Sequence, residues 1–318
     1  MTKINNKSKI YIAGHNGMVG SSIWRTLKIN GFKNLIGESS SNLDLRNQNE
    51  VKDFISNIKP ELIIHAAGTV GGILFNINNN LLSILDNNLI GINLVKASID
   101  NSVENFINIS SSCIYPSNFN RPIKESDLLS GRLEKTNEGY AMAKINTMKI
   151  CEYADKYLDN YNYKTIIPCN LYGIKDNFNQ KTAHLIPGVL SRVHHAKKNK
   201  ISKINIWGDG TARREFMYVD DVSNFIMFSI KNNFKNIPSS INIGYGKDFS
   251  IKEYYKKIAK IVDYKGSFGF DLTKPVGMKR KLIDSSIANN LGWKAETNIN
   301  DGLRITYNYF LKQTNEKV

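Results

Sequence analysis

An apolar tetrapeptide, Ile10-Tyr11-Ile12-Ala13, runs directly into Gly14-His15-Asn16-Gly17-Met18-Val19-Gly20. A short continuous apolar run of this kind predicts a strand buried on both faces, the kind found in parallel sheets. Glycines at i, i+3 and i+6 predict a tight turn, a close backbone approach to a pyrophosphate, and a helix lying close on the strand. Met18, Val19, Ile23 and Leu27 then recur at helical spacing. The partial positive charge of that helix's N-terminus favours an anion. Gly14, His15, Asn16, Gly17, Met18, Val19 and Gly20 are therefore candidate dinucleotide-binding residues. The spacing alone also allows a glycine-rich turn that holds nothing.

The alternation continues along the chain. Residues 35–36 read as a weak second strand, 51–58 as a helix stopped by Pro60, and 62–65 as a third strand. A helix over 81–100, a strand over 106–109, a helix over 140–159 and a strand over 165–167 follow. Strands alternating with helices imply right-handed βαβ units and a parallel sheet. After Pro168 the pattern loosens. Helices are expected over 184–198, 222–230, 251–262 and 301–313, with short strands over 204–206, 241–243 and 268–270. The expected fold is α/β. A Rossmann-like, doubly wound parallel sheet spans residues 1–170 and receives part of 218–245. A smaller C-terminal α/β lobe, mainly 171–318, binds substrate across a cleft.

Composition narrows the class. Hydrophobic residues make up 41% and charged residues 22%, which supports a packed core and argues against disorder. No apolar run approaches the roughly 20 residues that cross a bilayer. The polar start, Met1 to Lys9, lacks a signal-peptide pattern, so a cytoplasmic protein is the simplest expectation. Cys113, Cys151 and Cys169 form no C-x-x-C pair, and an odd count cannot close completely into disulfides. The five histidines show no metal-ligand spacing with them, and no metal is expected. The formal charge of +15 is scattered along a chain rich in Lys, Asn and Ile. It is read as compositional drift, with neither nucleic acid nor membrane as a partner.

Two further motifs carry chemistry. Tyr140 and Lys144 stand at i, i+4 and share one helix face. An ammonium beside a phenol is expected to lower the tyrosine pKa toward neutrality. Ser110-Ser111-Ser112-Cys113 follows the fourth strand, and ligands of parallel sheets gather at strand carboxyl ends. A serine there can hydrogen-bond a carbonyl oxygen while tyrosine gives or takes its proton. Behind a phosphate turn, Ser111, Tyr140 and Lys144 read as hydride transfer at a carbinol or ketone.

With these residues, the sequence resembles the extended short-chain dehydrogenase/reductase family nearly end to end. Within it, the likeness is to epimerase-reductases that act on GDP-4-keto-6-deoxy-mannose. The matching stretches are Ile12 to His15 with Gly17 to Gly20, Val70-Gly71-Gly72-Ile73, Ser111 to Pro116, Tyr140-Ala141 to Lys144 and Asn170 to Gly173. They continue through Asp176-Asn177-Phe178, His184 with Ile186-Pro187, Trp207-Gly208, and Arg214-Glu215-Phe216 before Val219-Asp220-Asp221. The resemblance implies that Cys113 and His184 remove and return protons at C3 and C5 of the sugar. Ser111 and Tyr140 would stabilise the enolate oxygen, and reduction at C4 would follow. It also implies that Ile109, Ser110, Lys144, Pro168, Asn170, Leu171 and His184 contact the cofactor. Arg192, Trp207 and Arg214 would contact the nucleotide sugar; a core role for Trp207 fits nearly as well. Cys151 and Cys169 are assigned to packing. A homodimer through the helices at 81–100 and 140–159 is implied in the same way.

The resemblance implies NADP rather than NAD. Within the turn Gly37-Glu38-Ser39-Ser40-Ser41, Glu38 argues for NAD, while the serines could bond a 2′-phosphate. The chain departs from the family at Thr69, where a lysine is common, at Val276, where an aspartate is common, and by lacking an arginine in that turn. The first two departures leave open a related nucleotide-linked 4-keto sugar, such as a dideoxy-hexose or heptose, and the third leaves open NAD in place of NADP. A non-catalytic dinucleotide-binding protein would be expected to lose Tyr140 or Lys144, and both are present.

Overall fold

Every residue of four strands is buried: β1 (Ile10–Ala13), β3 (Leu62–His65), β4 (Asn105–Ile109) and β5 (Asn162–Pro168). The computed structural model describes residues 3–180, 182–232, 234–274 and 277–314. Alternate strand residues feed different cores, as the two-residue period of a strand requires. Ile10, Ile12, Ile64, Ile107 and Ile109 enter one cluster, while Tyr11, Ala13, Ile63, Phe106 and Tyr163 enter another on the opposite face. With β2 (Leu35–Ile36) and β9 (Ser240–Ile243), these strands form a six-stranded sheet in the order β2-β1-β3-β4-β5-β9. All of its pairings are parallel.

Helices cover both faces. α1 (Met18–Ile29) packs with α7 (Val219–Lys231), and the seam between them carries hydroxyl contacts. Ser22 Oγ lies 2.8 Å from Ser223 Oγ, and Thr26 Oγ1 donates to Ser223 Oγ at 2.9 Å. α2 (Gln48–Ile58), α4 (Asn80–Asp100) and α5 (Glu138–Tyr157) pack together, with the short α3 (Ile73–Asn78) preceding α4. Chain order reverses between β1 and β3, so the crevice for a ligand opens at their carboxyl ends.

The remaining strands build a smaller layer. β8 (Arg213–Tyr218) pairs antiparallel with β10 (Asp248–Ser250) and parallel with both β6 (Asn170–Tyr172) and β12 (Arg280–Lys281). β7 (Lys203–Trp207) pairs with β11 (Ser267–Asp271). α6 (Leu185–Lys198), α8 (Ile251–Val262) and α10 (Ile299–Gln313) cover this layer, and α9 (Ser286–Asn290) lies near β9. Their core joins Ile186, Leu190, Ile206, Phe216, Tyr254 and Leu303.

The mixed α/β architecture with a parallel sheet agrees with the expectation. The sequence reading missed α3, β6, β8, β10, β12 and α9. These elements are two to six residues long, and most of the strands among them carry charges rather than an apolar run. No helix among the described residues is long and apolar enough to cross a membrane.

Candidate active site

The turn after β1 is built as its first and third glycines predict. Gly14 adopts φ +82°, and a Cβ there would lie 2.8 Å from the Ala66 and Ala67 backbone. A Cβ on Gly20 would collide with the Gly14 carbonyl, so only glycine lets α1 sit this close to β1. A Cβ on Gly17 would meet nothing nearer than 3.4 Å, which leaves open space over the turn. Gly17 caps α1 without a side-chain hydrogen bond, and the first turn holds no acidic residue. The free first-turn amides suit a pyrophosphate. His15 turns elsewhere. Its ring lies against Gly37 and 5.6 Å from the Trp24 ring, and its Nδ1 is buried without a partner. Burial holds its pKa below the usual value, against the opposing pull of Glu38. Beyond β2, Glu38 accepts from Asn42 Nδ2 at 3.2 Å, and the Ser39 and Ser41 hydroxyls meet at 2.7 Å.

A cleft of about 480 Å³ opens between the large sheet and the smaller layer. Met18, Val19, Ile109, Ser110, Ser111, Cys113, Tyr140, Lys144, Pro168, Asn170, Leu171, His184, Arg192, Trp207 and Arg214 all line it. Gly14, His15, Asn16, Gly17 and Gly20 do not; they form the turn at its edge. Ser110 Oγ, on the wall, is buried without a hydrogen-bond partner.

Local structure aims the reactive side chains. After β4, Ser111 caps a one-turn 3-10 helix, residues 112–114, its Oγ accepting from the Cys113 amide at 3.2 Å. Ser112 and Ile114 face the core, so Ser111 and Cys113 are left toward the cleft. Tyr140 and Lys144 lie in the first two turns of α5, both buried. Lys144 Nζ donates to the Ile109 carbonyl at 3.1 Å and stands 5.8 Å from the Tyr140 ring centroid. Burial brings its pKa down to about 8.

The tyrosine departs from expectation. Burial pushes the Tyr140 phenol above its ordinary value, and the neighbouring Cys113 adds to the rise. The ammonium is engaged by Ile109 and does not offset the lost hydration. Tyr140 therefore holds its proton at neutral pH, as a proton donor must.

His184 occupies the N-cap position of α6, yet its ring makes no capping bond. Its side chain opens onto the cleft, and desolvation by the surrounding walls lowers its pKa. Trp207 ends β7, half-buried, with the Arg192 guanidinium 5.8 Å and the Lys274 ammonium 6.0 Å from its ring. Arg192 Nη1 donates to Tyr255 Oη at 2.9 Å. Thr69, at the departure noted above, donates to Asp86 and is clamped by Asn87, which ties the loop after β3 to α4. Val276 lies outside the described residues. Among the described residues, no three His, Cys, Asp or Glu side chains gather as a metal site.

The sequence reading missed Asn137, Tyr255 and Lys281, which also line the cleft. Lys281 follows Lys279 and Arg280 and reads as solvated charge. Its one signal is the apolar pair Leu282-Ile283 behind it.

Comparisons with known proteins add a family. The sequence pattern of the NAD dependent epimerase/dehydratase family matches residues 10–244. A GDP-L-colitose synthase from Yersinia pseudotuberculosis is 45% identical over 307 residues, covering 96% of this chain and 99% of its own length. A GDP-L-fucose synthase from Azorhizobium caulinodans is 44% identical over 303 residues, covering 95% and 96%. The solved structure of a GDP-mannoheptose C4 reductase from Campylobacter jejuni with NADP bound superposes with a TM-score of 0.87. It is 32% identical, covering 96% of this chain and 99% of that one.

Proposed function

The chain belongs to the NAD dependent epimerase/dehydratase family, and on that premise we propose that it is an epimerase-reductase of the GDP-L-fucose synthase type. It inverts C3 and C5 of GDP-4-keto-6-deoxy-mannose and then reduces C4 with NADPH. The observation that carries this reading is one cleft holding Cys113 and His184 together with Ser111, Tyr140 and Lys144. Reduction alone needs only the last three. Residues 1–170 with 219–243 form the cofactor half, and the remainder forms mainly the substrate half.

The C4 ketone acidifies the protons on C3 and C5. Cys113 removes a proton from one face, and His184 returns one from the other. Negative charge developing on the C4 oxygen is met by the hydroxyls of Ser111 and Tyr140. The reduced cofactor, when bound, supplies a hydride to C4. Tyr140 gives its proton to the C4 oxygen, and Lys144 holds the cofactor's ribose from its site beside Ile109. The first-turn amides of α1 would hold the pyrophosphate, and the Ser39 and Ser41 hydroxyls would be available to hydrogen-bond a 2′-phosphate. On the substrate side Arg192 and Arg214 hold the diphosphate, for which a guanidinium fork is suited. Trp207 offers a stacking face.

The chain acts as a homodimer. Leu81, Leu85, Leu89 and Ile92 leave an exposed apolar stripe along α4, and Tyr153 and Tyr157 extend it on α5. Light scattering that reads a monomer at working concentration removes this part of the reading.

Incubation with GDP-4-keto-6-deoxy-mannose and NADPH, with products read by NMR, tests the activity. The expected product is inverted at C3 and C5 and reduced at C4. No oxidation of NADPH or NADH sinks the proposal. The 45% identical colitose synthase and the heptose reductase support a second reading, epimerisation and C4 reduction of a related GDP-linked 4-keto sugar; on a 3-deoxy sugar only C5 can be inverted. Competition between the 3-hydroxy and 3-deoxy substrates separates the two by kcat/KM.

A further inference from the structure

We propose that Lys281 is a positioning residue that holds Cys113 as a thiolate, and so makes this thiol the proton-removing base of epimerisation. The proposal rests on the epimerase-reductase reading above. It adds to that reading a residue outside the serine, tyrosine and lysine set.

β12 pairs in parallel with β8, with Lys281 opposite Arg214, so both side chains leave the same face of the small sheet. That face looks into the cleft, and both residues line it. Lys281 is only 7% exposed. Its Nζ donates to Cys113 Sγ at 3.4 Å. Among the described residues the thiol is the one hydrogen-bond partner of this ammonium, and no carboxylate pairs with it. Burying a charge without a counter-ion is costly. A thiolate supplies the missing counter-charge, and the ammonium in turn stabilises the thiolate.

The groups facing Cys113 come from several elements. Lys281 reaches it from β12, Arg214 from β8 and Tyr140 from α5, with Ser111 and Asn137 from the adjoining loops. Two of these are cations, and none is a carboxylate. Burial pushes the thiol up. The Lys281 charge, with hydrogen bonds from Ser111, Lys281 and Asn137, outweighs it and leaves Cys113 below its ordinary value. Cys151 and Cys169 stay raised by burial. Lys281 also pulls Cys169 down, but makes no hydrogen bond to it and is outweighed by burial and Glu215. A hydrogen bond with Thr165 does not offset the burial of Cys151. One thiol of three is thus set apart as the easiest to ionise.

In the proposed step the thiolate takes the proton from the carbon beside the C4 ketone. The C–H bond breaks, an S–H bond forms, and the electron pair passes to the C4 oxygen. A base is most effective when its pKa lies near the working pH. Lys281 raises the ionised fraction without contacting the reacting carbon.

The test titrates Cys113 in the full-length enzyme, by thiolate absorbance and by the rate of iodoacetamide alkylation against pH. Cys113→Ser serves as the blank for the two buried cysteines. Wild-type Cys113 is expected to titrate below the free-thiol value of about 8.5. Lys281→Gln is expected to move the midpoint up by about one unit, a roughly tenfold loss of alkylation rate at pH 7. Wash-in of solvent deuterium at C3 and C5 should slow at pH 7 and recover as pH rises. Lys281→Arg should keep the wild-type profile, and NADPH affinity should not change in either variant.

A wild-type midpoint at or above 8.5 overturns the proposal even if no variant folds. So does a Lys281→Gln enzyme with an unmoved titration and a raised KM for the nucleotide sugar, because Lys281 would then be a diphosphate ligand. Failure of the epimerase reading looks different: Cys113→Ser would leave deuterium wash-in unchanged while the effect of Lys281 on the titration persisted.

Discussion

The two walls of the cleft are built by different rules. The large-sheet wall stands on strands four to seven residues long, buried throughout and joined by helices. Backbone does much of its work: the turn at Gly14–Gly20, the Ile109 carbonyl, and the first two turns of α5. The opposite wall stands on β6, β8 and β12, of two to six residues, together with α6 and the end of β7, and contributes Arg192, Trp207, Arg214 and Lys281 as side chains. Redox chemistry needs a fixed frame for a constant cofactor. Substrate choice needs side chains that can be exchanged singly without disturbing that frame.

The comparison predicts separable kinetic losses. On the first wall, Tyr140→Phe removes the proposed proton donor and should lower NADPH oxidation by about 10²–10⁴-fold. NADPH affinity, read by fluorescence quenching, should stay within about twofold. A large loss of NADPH binding would merge binding with chemistry on that wall and break the distinction. On the second wall, Arg214→Ala would remove the charge-assisted hydrogen bonds to the diphosphate proposed above, each about 1.5–3 kcal/mol. KM for the nucleotide sugar should rise ten- to a hundredfold, with NADPH affinity unchanged. Steady-state kinetics in both substrates decides it, and a fall in kcat at constant KM would move Arg214 from binding to chemistry.

The same contrast explains what the sequence made legible. Apolar runs such as Ile10–Ala13 and Leu62–His65 announce buried strands because both of their faces meet a core. Arg213-Arg214-Glu215 announces nothing. β8 becomes a strand because Asn170, Asp248 and Arg280, far apart in sequence, supply its pairing partners. Lys281 was hidden for the same reason, since its environment is set by β8 and Cys113 rather than by its neighbours. Ser111, Tyr140 and Lys144 could be read from strand-end and helix spacing, whereas Cys113 and His184 needed the family resemblance. The Tyr140 pKa was misread because a helical i, i+4 spacing reports proximity but not burial.

The smallest expected effect concerns how the second wall is tied together. Glu215, on β8, is 1% exposed. Its Oε1 accepts from the Gly246 amide at 2.7 Å and its Oε2 from the Ile283 amide at 3.0 Å. Its backbone carbonyl accepts from Asn170 Nδ2 at 2.8 Å. One residue thus links β6, the turn after β9 and the segment after β12. Burial raises its carboxyl from 4.5 to about 7, against the opposing backbone hydrogen bonds. A carboxyl with a raised folded-state pKa gives up its proton first in the unfolded chain. Its contribution to stability therefore falls as pH rises from about 4.5 to about 7, by up to roughly 3 kcal/mol. Glu215→Gln removes that slope, but its NH₂ group then faces one of the two amides, at a cost of about 1–3 kcal/mol. The variant should be clearly less stable than the parent at pH 5 and close to it at pH 7.5, as read by urea unfolding. A stability gap that does not change with pH would mean that Glu215 is ionised in the folded protein, and that the second wall is tied by charge rather than by a neutral carboxyl.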